Sequence, residues 1–137
     1  MQKHKIKPQT LLSNLWLFIL LNIVFRDLHQ FGKAGFLEEL MTGMVNGITI
    51  TDELALVGGI LAEIPIMMVL LSRILNNKAN KWANLIAGII TLGVFTTALP
   101  YADIDDVFHF VFEALAILWI FKIAWKLPSI GTSQTQI

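Results

Sequence analysis

The chain has 137 residues, 55% hydrophobic and 15% charged, with a mean hydropathy of +0.68 and a formal net charge of zero. Soluble domains carry about 25% charged residues; this composition is that of an integral membrane protein, and the length allows a single membrane domain over 1–137 with no separate soluble module. The absence of cysteine excludes thiol–disulfide chemistry, thiolate metal sites and disulfide staples.

Residues 1–8 form a basic tail with Lys3, Lys5 and Lys7, ending at Pro8. The apolar run that follows, a first span over 10–29, leads into Arg26-Asp27-Leu28-His29 and not into a small-residue cleavage site. It is about long enough to cross a bilayer and reads as a span, not a signal peptide. In the long connection 30–51, Phe36, Leu37, Leu40, Met41 and Met44 recur at helical spacing with Glu38, Glu39 and Thr42 opposite, which predicts a short amphipathic helix at the interface. Asn46-Gly47 signals a turn, and Ile48 to Thr51 an extended piece. Thr51 is placed to N-cap the second span, 53–75, with Asp52 and Glu53 in its first turn. Pro65 predicts a kink or a loosened turn in that span, and Gly58-Gly59 with Ala62 predicts close helix packing. Residues 76–80 read as a tight turn. The third span covers 81–99, with Trp82 at its interface, and Pro100 to Asp103 closes it. The fourth covers 105–126, with Trp119, Trp125, Lys122 and Lys126 at its far end and Pro128 as its stop. Trp16 needs no special role.

The charges sort by side. Lys3, Lys5, Lys7, Arg73, Lys78, Lys81, Lys122 and Lys126 mark one side, with no acidic residue among them. The other side carries Arg26 and Lys33 against Asp27, Glu38, Glu39, Asp52, Glu53, Asp103, Asp105 and Asp106. The positive-inside rule then places both termini in the cytoplasm. The expected fold is all-α: an antiparallel four-helix transmembrane bundle, multi-pass in a plasma or inner membrane, with the lipid bilayer as its first partner.

Each span also carries polar or small residues at helical spacing: Asn22, Arg26 and His29; Gly59 and Glu63; Asn84, Gly88 and Thr91; Asp106, His109 and Glu113. Lipid penalises such faces, so they are expected to meet inside the bundle. A carboxylate at mid-span costs about 2.5–3.5 kcal/mol on insertion scales. Glu63 and Glu113 are therefore the leading candidates for a ligand or proton site, with His109, Arg26 and Asn22 beside them and Asp27, His29, Asn84 and Thr91 as secondary members. The spacing predicts a cavity opening on the acidic side, with Glu63 at its floor and the 30–51 connection as a lid; two places are open to Arg26, a pair with Glu113 or a snorkelled position at the surface. His29 and His109 share a depth, but two histidines near helix ends are ordinarily interfacial or hydrogen-bonded, so no haem, other cofactor or metal is expected. Asp103, Asp105 and Asp106 suit helix capping. No nucleotide loop, nucleophile motif or zinc-protease signature is present, and no nucleic-acid partner is expected.

The stretches from Leu15 to Asn22, Met41-Thr42-Gly43, Glu63-Ile64-Pro65-Ile66, Val69 to Arg73 and Trp82 to Gly88 resemble a family of small bacterial four-span membrane proteins of uncharacterised function. Asp27-Leu28 and Glu63-Ile64-Pro65 resemble, more loosely, the emopamil-binding and sigma-two-receptor superfamily. That resemblance implies a membrane cavity whose acidic residues bind lipophilic amines or sterols. Three readings follow. The first is a module that binds or moves a proton, a cation or an amphipathic small molecule, as a homo-oligomer if it transports. The second is an interaction protein docking a partner through 30–51. The third is a membrane-embedded isomerase using Glu63 or His109. The non-enzymatic readings lead.

Overall fold

The computed structural model describes residues 6–128. Lys3 and Lys5 of the basic tail, and the polar stretch from Ser129, lie outside the described residues. The elements are α1 (Pro8–Phe31), α2 (Phe36–Met41), β1 (Met44–Val45), β2 (Ile48–Thr49), α3 (Asp52–Ile74), α4 (Asn77–Ala98), a 3₁₀ turn (Leu99–Tyr101) and α5 (Ile104–Trp125). Four of these helices are long and apolar enough to cross a membrane. At about 1.5 Å per residue, 22–24 residues also exceed the ~30 Å hydrocarbon core. The protein is thus a multi-pass membrane protein built on an all-α bundle.

Local chemistry sets the helix ends. Pro8 occupies the first turn of α1, where its missing N–H is not needed. Thr51 caps α3 by accepting from the Leu54 N–H at 3.2 Å, as its position before Asp52 and Glu53 predicts. Asp103 accepts from the Asp106 N–H at 3.0 Å while the Asp106 side chain accepts from the Asp103 N–H at 3.2 Å, a reciprocal capping box that starts α5. The reading of 76–80 as a turn is corrected. Asn76 is itself an N-cap, accepting from the Ala79 N–H at 3.0 Å, so α4 begins at Asn77. α3 runs unbroken through Pro65.

The connection 32–51 holds α2 as a single short helix and then a small hairpin, Met44 opposite Thr49 and Val45 opposite Ile48. Asn46 and Gly47 at its tip both have positive φ, 52° and 75°. Such tips favour Asn-Gly because the left-handed region is open to these residues.

α1 packs against α3 and α5, and α4 packs against the same two, so the four long helices form a ring in chain order. Leu12, Trp16 and Ile19 of α1, Met68 of α3, Ala87 and Phe95 of α4, and Phe110, Ile117 and Ile120 of α5 fill its centre. The basic end is the tight end. Trp16 is fully buried and its indole N–H donates to Asn84 Oδ1 at 2.7 Å. The Asn84 amide donates to Asn80, the Asn80 amide donates to the Ser72 carbonyl at 2.7 Å, and the Ser13 hydroxyl donates to the Val69 carbonyl at 2.6 Å. Trp16 therefore has a structural partner that its place near a helix end does not announce.

Within the chain, Gly58-Gly59 do not make the close helix packing expected of them. A Cβ at either position would meet open space, whereas one at Gly88 would run into the Phe121 ring and lie 3.2 Å from Ile117 Cγ2. Gly88 is the glycine that admits a neighbouring helix, α5. Gly88→Ala is expected to destabilise the bundle by about 1–3 kcal/mol through overpacking. Gly59→Ala is expected to be neutral or to stabilise by about 0.5–1 kcal/mol through helix propensity. Thermal unfolding of both variants in one detergent checks the ranking, and the reverse order would refute the packing.

Candidate functional site

Toward the acidic end, α1 and α5 run antiparallel and meet along a polar seam. Asn22 Oδ1 lies 3.2 Å from His109 Nδ1, Arg26 Nη1 lies 3.3 Å from Glu113 Oε2, and His29 Nδ1 lies 3.1 Å from Asp105 Oδ2. Gln30 donates to Asp106 Oδ1 at 2.8 Å, and Lys33 pairs with Asp103. The seam follows from spacing: positions three, four or seven apart share a helix face, and antiparallel helices bring two such rows together.

Arg26 is the centre of the seam. Besides Glu113, its guanidinium reaches Asp27 at 3.4 Å and lies over the rings of Phe110 and Phe95, 4.7 and 5.8 Å from their centroids. Those two rings stack on each other at 5.4 Å. A planar, weakly hydrated cation suits such a place better than an ammonium would. Glu113 is wholly buried, and its Oε1 has no hydrogen-bond partner among the described residues. That oxygen is a buried polar atom at the base of the seam.

Two hollows adjoin Arg26. The first, about 610 Å³, opens at the acidic end and is lined by Arg26, Asp27, Gln30, Lys33, Glu39, Asn46, Tyr101, Asp103, Asp106 and Phe110, with Ala34 to Phe36 as part of its wall. The second is narrow, about 150 Å³, and apply walled by apolar groups apart from Arg26 and Thr91: Ile23, Leu61, Ala62, Pro65, Val94 and Phe95 line it with Gly58. At the mouth of the first, the Lys33 hydrogen bond and the Asp106 N–H hold the Asp103 carboxyl below its usual range, and Asp103 in turn raises the Lys33 ammonium above its own. The 32–51 connection contributes Lys33, Glu39 and Asn46 to that wall.

The candidate residues divide. Asn22, Arg26, His29, His109 and Glu113 lie together on the seam, and Asp27 lines the wide cavity. Glu63 does not join them. It is exposed on the outer face of α3, so its expected place at the cavity floor is corrected. The reason is phase: Pro65, Met68 and Ser72 are the buried residues of α3, and at 3.6 residues per turn Glu63 points about 200° away from Pro65. Asn84 belongs to the Trp16 clamp at the other end of the bundle. The Thr91 hydroxyl donates to its own helix at the Ala87 carbonyl, and the residue lines only the narrow pocket. Gln30, Phe95 and Phe110 went unnoticed in the sequence, since an amide at a helix end and two phenylalanines in an apolar run carry no signal of their own.

Residues 1–131 match a family described as a family of unknown function, DUF6326. The chain belongs to this family. No curated protein and no solved structure matches it.

The DUF6326 family carries no assigned activity to the seam, so its energetics are the first handle. Removing one partner of a buried pair strands the other charge. Arg26→Met is expected to destabilise the bundle by about 3–5 kcal/mol, and adding Glu113→Leu to recover most of that loss. A double-mutant cycle of unfolding in mixed micelles checks this, and additive losses would show that the two side chains do not act as a pair.

Proposed function

We propose that the protein is a binding module for cationic amphipathic small molecules, held in a bacterial plasma membrane with its acidic end outward. The observation that carries this reading is the position of Arg26 on both hollows. A polar cavity of about 610 Å³ and an apolar pocket of about 150 Å³ share this one side chain. A ligand with a charged head and an apolar tail fits that division. The sign follows from the lining. Four acidic residues, Asp27, Glu39, Asp103 and Asp106, face two basic ones. Glu113 and Asp103 already partner Arg26 and Lys33. Glu39 has no basic partner among the described residues, and Asp27, which shares Arg26 with Glu113, is 62% exposed, so these two acids are the ones a cation in the cavity can reach. Asp27 is also one of the positions behind the likeness to proteins that bind lipophilic amines, and Glu63, the other, faces away from the cavity.

The test uses the full chain in lipid nanodiscs and a fluorescent alkyl-trimethylammonium as probe. Saturable binding is expected. Asp27→Asn and Glu39→Gln should each weaken it by up to about fivefold, the scale of a partly exposed charge pair. An alkyl sulfate of equal chain length should not compete. Equal affinity in wild type and both variants, or effective competition by the sulfate, would sink the reading.

A second reading is favoured by Glu63 itself. It lies eleven residues into α3, roughly 16 Å along the helix, and is exposed beside Gly59. A lipid-facing carboxylate at that depth is costly. We infer that a second copy of the chain covers this face, with the two Glu63 carboxyls meeting across a two-fold axis. The chain has no cysteine of its own, so single cysteines report cleanly. Glu63→Cys should cross-link into dimers in native membranes on oxidation, while Leu118→Cys, exposed on α5, should not. Equal cross-linking at both positions would remove this reading.

A further inference from the structure

We propose that His29, Asp105 and His109 form a site for a divalent transition-metal ion of the zinc class at the acidic end of the α1–α5 seam. This inference is independent of the cavity reading. The two histidines of the triad line a separate groove with Phe18, Leu21, Asn22 and Phe25, and no residue of the triad lines the wide cavity.

Three observations carry it. The first is convergence. One ligand atom from each of His29, Asp105 and His109 lies within 4.8 Å of the others. The carboxylate stands between the rings, Oδ2 3.1 Å from His29 Nδ1 and Oδ1 3.9 Å from His109 Nε2. Zinc bonds of about 2.0–2.2 Å in a tetrahedron set ligand atoms about 3.3–3.6 Å apart, so the widest gap to close is at most about 1.5 Å. His29 is more than half exposed and is free to close it.

The second is the tautomer. The Asn22 amide nitrogen donates to the Phe18 carbonyl at 2.9 Å, which turns Asn22 Oδ1 toward His109 Nδ1 at 3.2 Å. An amide oxygen only accepts, so Nδ1 carries the hydrogen and Nε2 is left with its lone pair on the Asp105 side. Metal-bound histidines are ordinarily oriented in this way, with the second ring nitrogen donating to an oxygen. Asn22 is therefore a positioning residue for the site.

The third is the scaffold and access. Asp105 and His109 are one turn apart on α5, and Asn22 and His29 are two turns apart on α1, so rigid elements hold all four. His109 is nearly buried, whereas His29 and Asp105 reach the surface, which leaves an entry path and an open coordination position. Two imidazoles and one carboxylate suit zinc, cobalt or nickel and not the oxygen-only preference of magnesium or calcium.

The test uses the full chain in phosphatidylcholine nanodiscs with no affinity tag, titrated with Co²⁺ and then Zn²⁺. The expected result is one Co²⁺ per chain, the visible absorption of a four- or five-coordinate ion, and displacement by Zn²⁺. His29→Ala and Asp105→Asn should weaken binding by more than about 100-fold. Asn22→Leu should weaken it about 10–100-fold, the usual scale for an orienting partner. Asn22→Asp should retain the site, since a carboxylate orients the ring equally well. Glu38→Gln, away from the seam, should bind as wild type. His109→Ala is left out of the decision because its side chain is nearly buried; circular dichroism establishes that the His29 and Asp105 variants keep their helix content. Absence of saturable Co²⁺ binding, or equal affinity in wild type, His29→Ala and Asp105→Asn, would overturn the site.

Discussion

Asn84 is the residue on which the bundle depends most. In hydrocarbon no water stands ready to satisfy a stray polar group, so every buried donor must find an acceptor within the protein. The Asn84 oxygen takes the Trp16 N–H at 2.7 Å and the Ser72 hydroxyl at 3.4 Å, and its nitrogen donates back along α4 to Asn80. One side chain thus links α1, α3 and α4. Hydrogen bonds between membrane helices average only about 0.6 kcal/mol each, because the separated helices also find partners. What the set contributes beyond that is register: Trp16 and Asn84 are 68 positions apart and must arrive at one height.

That clamp makes the two ends of the bundle unlike. The buried residues of α1, from Leu12 to Ile19, and those of α3, from Pro65 to Ser72, all lie toward the basic end. Only α4 and α5 bury side chains into the acidic half, as Thr91, Phe95, Asp106 and His109 do. α3 is the least buried of the four, 11% of its most apolar stretch against 39% for α5. The wide cavity beside Arg26 lies at the acidic end, and no residue of α3 lines it.

The charge asymmetry, the four apolar runs and the capping residues Thr51 and Asp103 were all legible from residue type and spacing; the choice of Arg26 between Glu113 and the surface was not, and the structure pairs the two. What could not be read was rotation about an axis in a helix apolar on every side. Along its apolar length α3 offers only Gly59, Glu63 and Ser72 to set its phase, and taking the first two as the inward face inverted it. Packing by Pro65, Met68 and Ser72 decides the phase instead. Trp16 was hidden for a related reason. A tryptophan near a span end resembles an interface anchor, and the partner that shows otherwise lies on another helix. The His29–Asp105–His109 cluster combines both limits, since two of its members are on α5 and the third needs the α1–α5 register.

The α1–α5 seam is not accounted for by stability. A buried ion pair is weak grounds for stability, because well-packed apolar residues of the same volume hold helices as well or better. In lipid the argument is sharper, since the desolvation of Arg26 and Glu113 has no water to relieve it. The bundle already shows the cheaper solution: at mid-span α4 meets α5 through Gly88 against Phe121 and Ile117, and the one cation at that helix pair, Lys81 over the Trp125 ring, sits at its basic end. Five polar contacts nevertheless concentrate on the one seam that borders both the wide cavity and the histidine groove. No comparable set joins α3 to α4 at the acidic end among the described residues. At the basic end Trp16, Ser72, Asn80 and Asn84 hold the helices together with neutral groups alone, whereas the charged pairs among the described residues all lie at the acidic end, beside the wide cavity and the histidine groove.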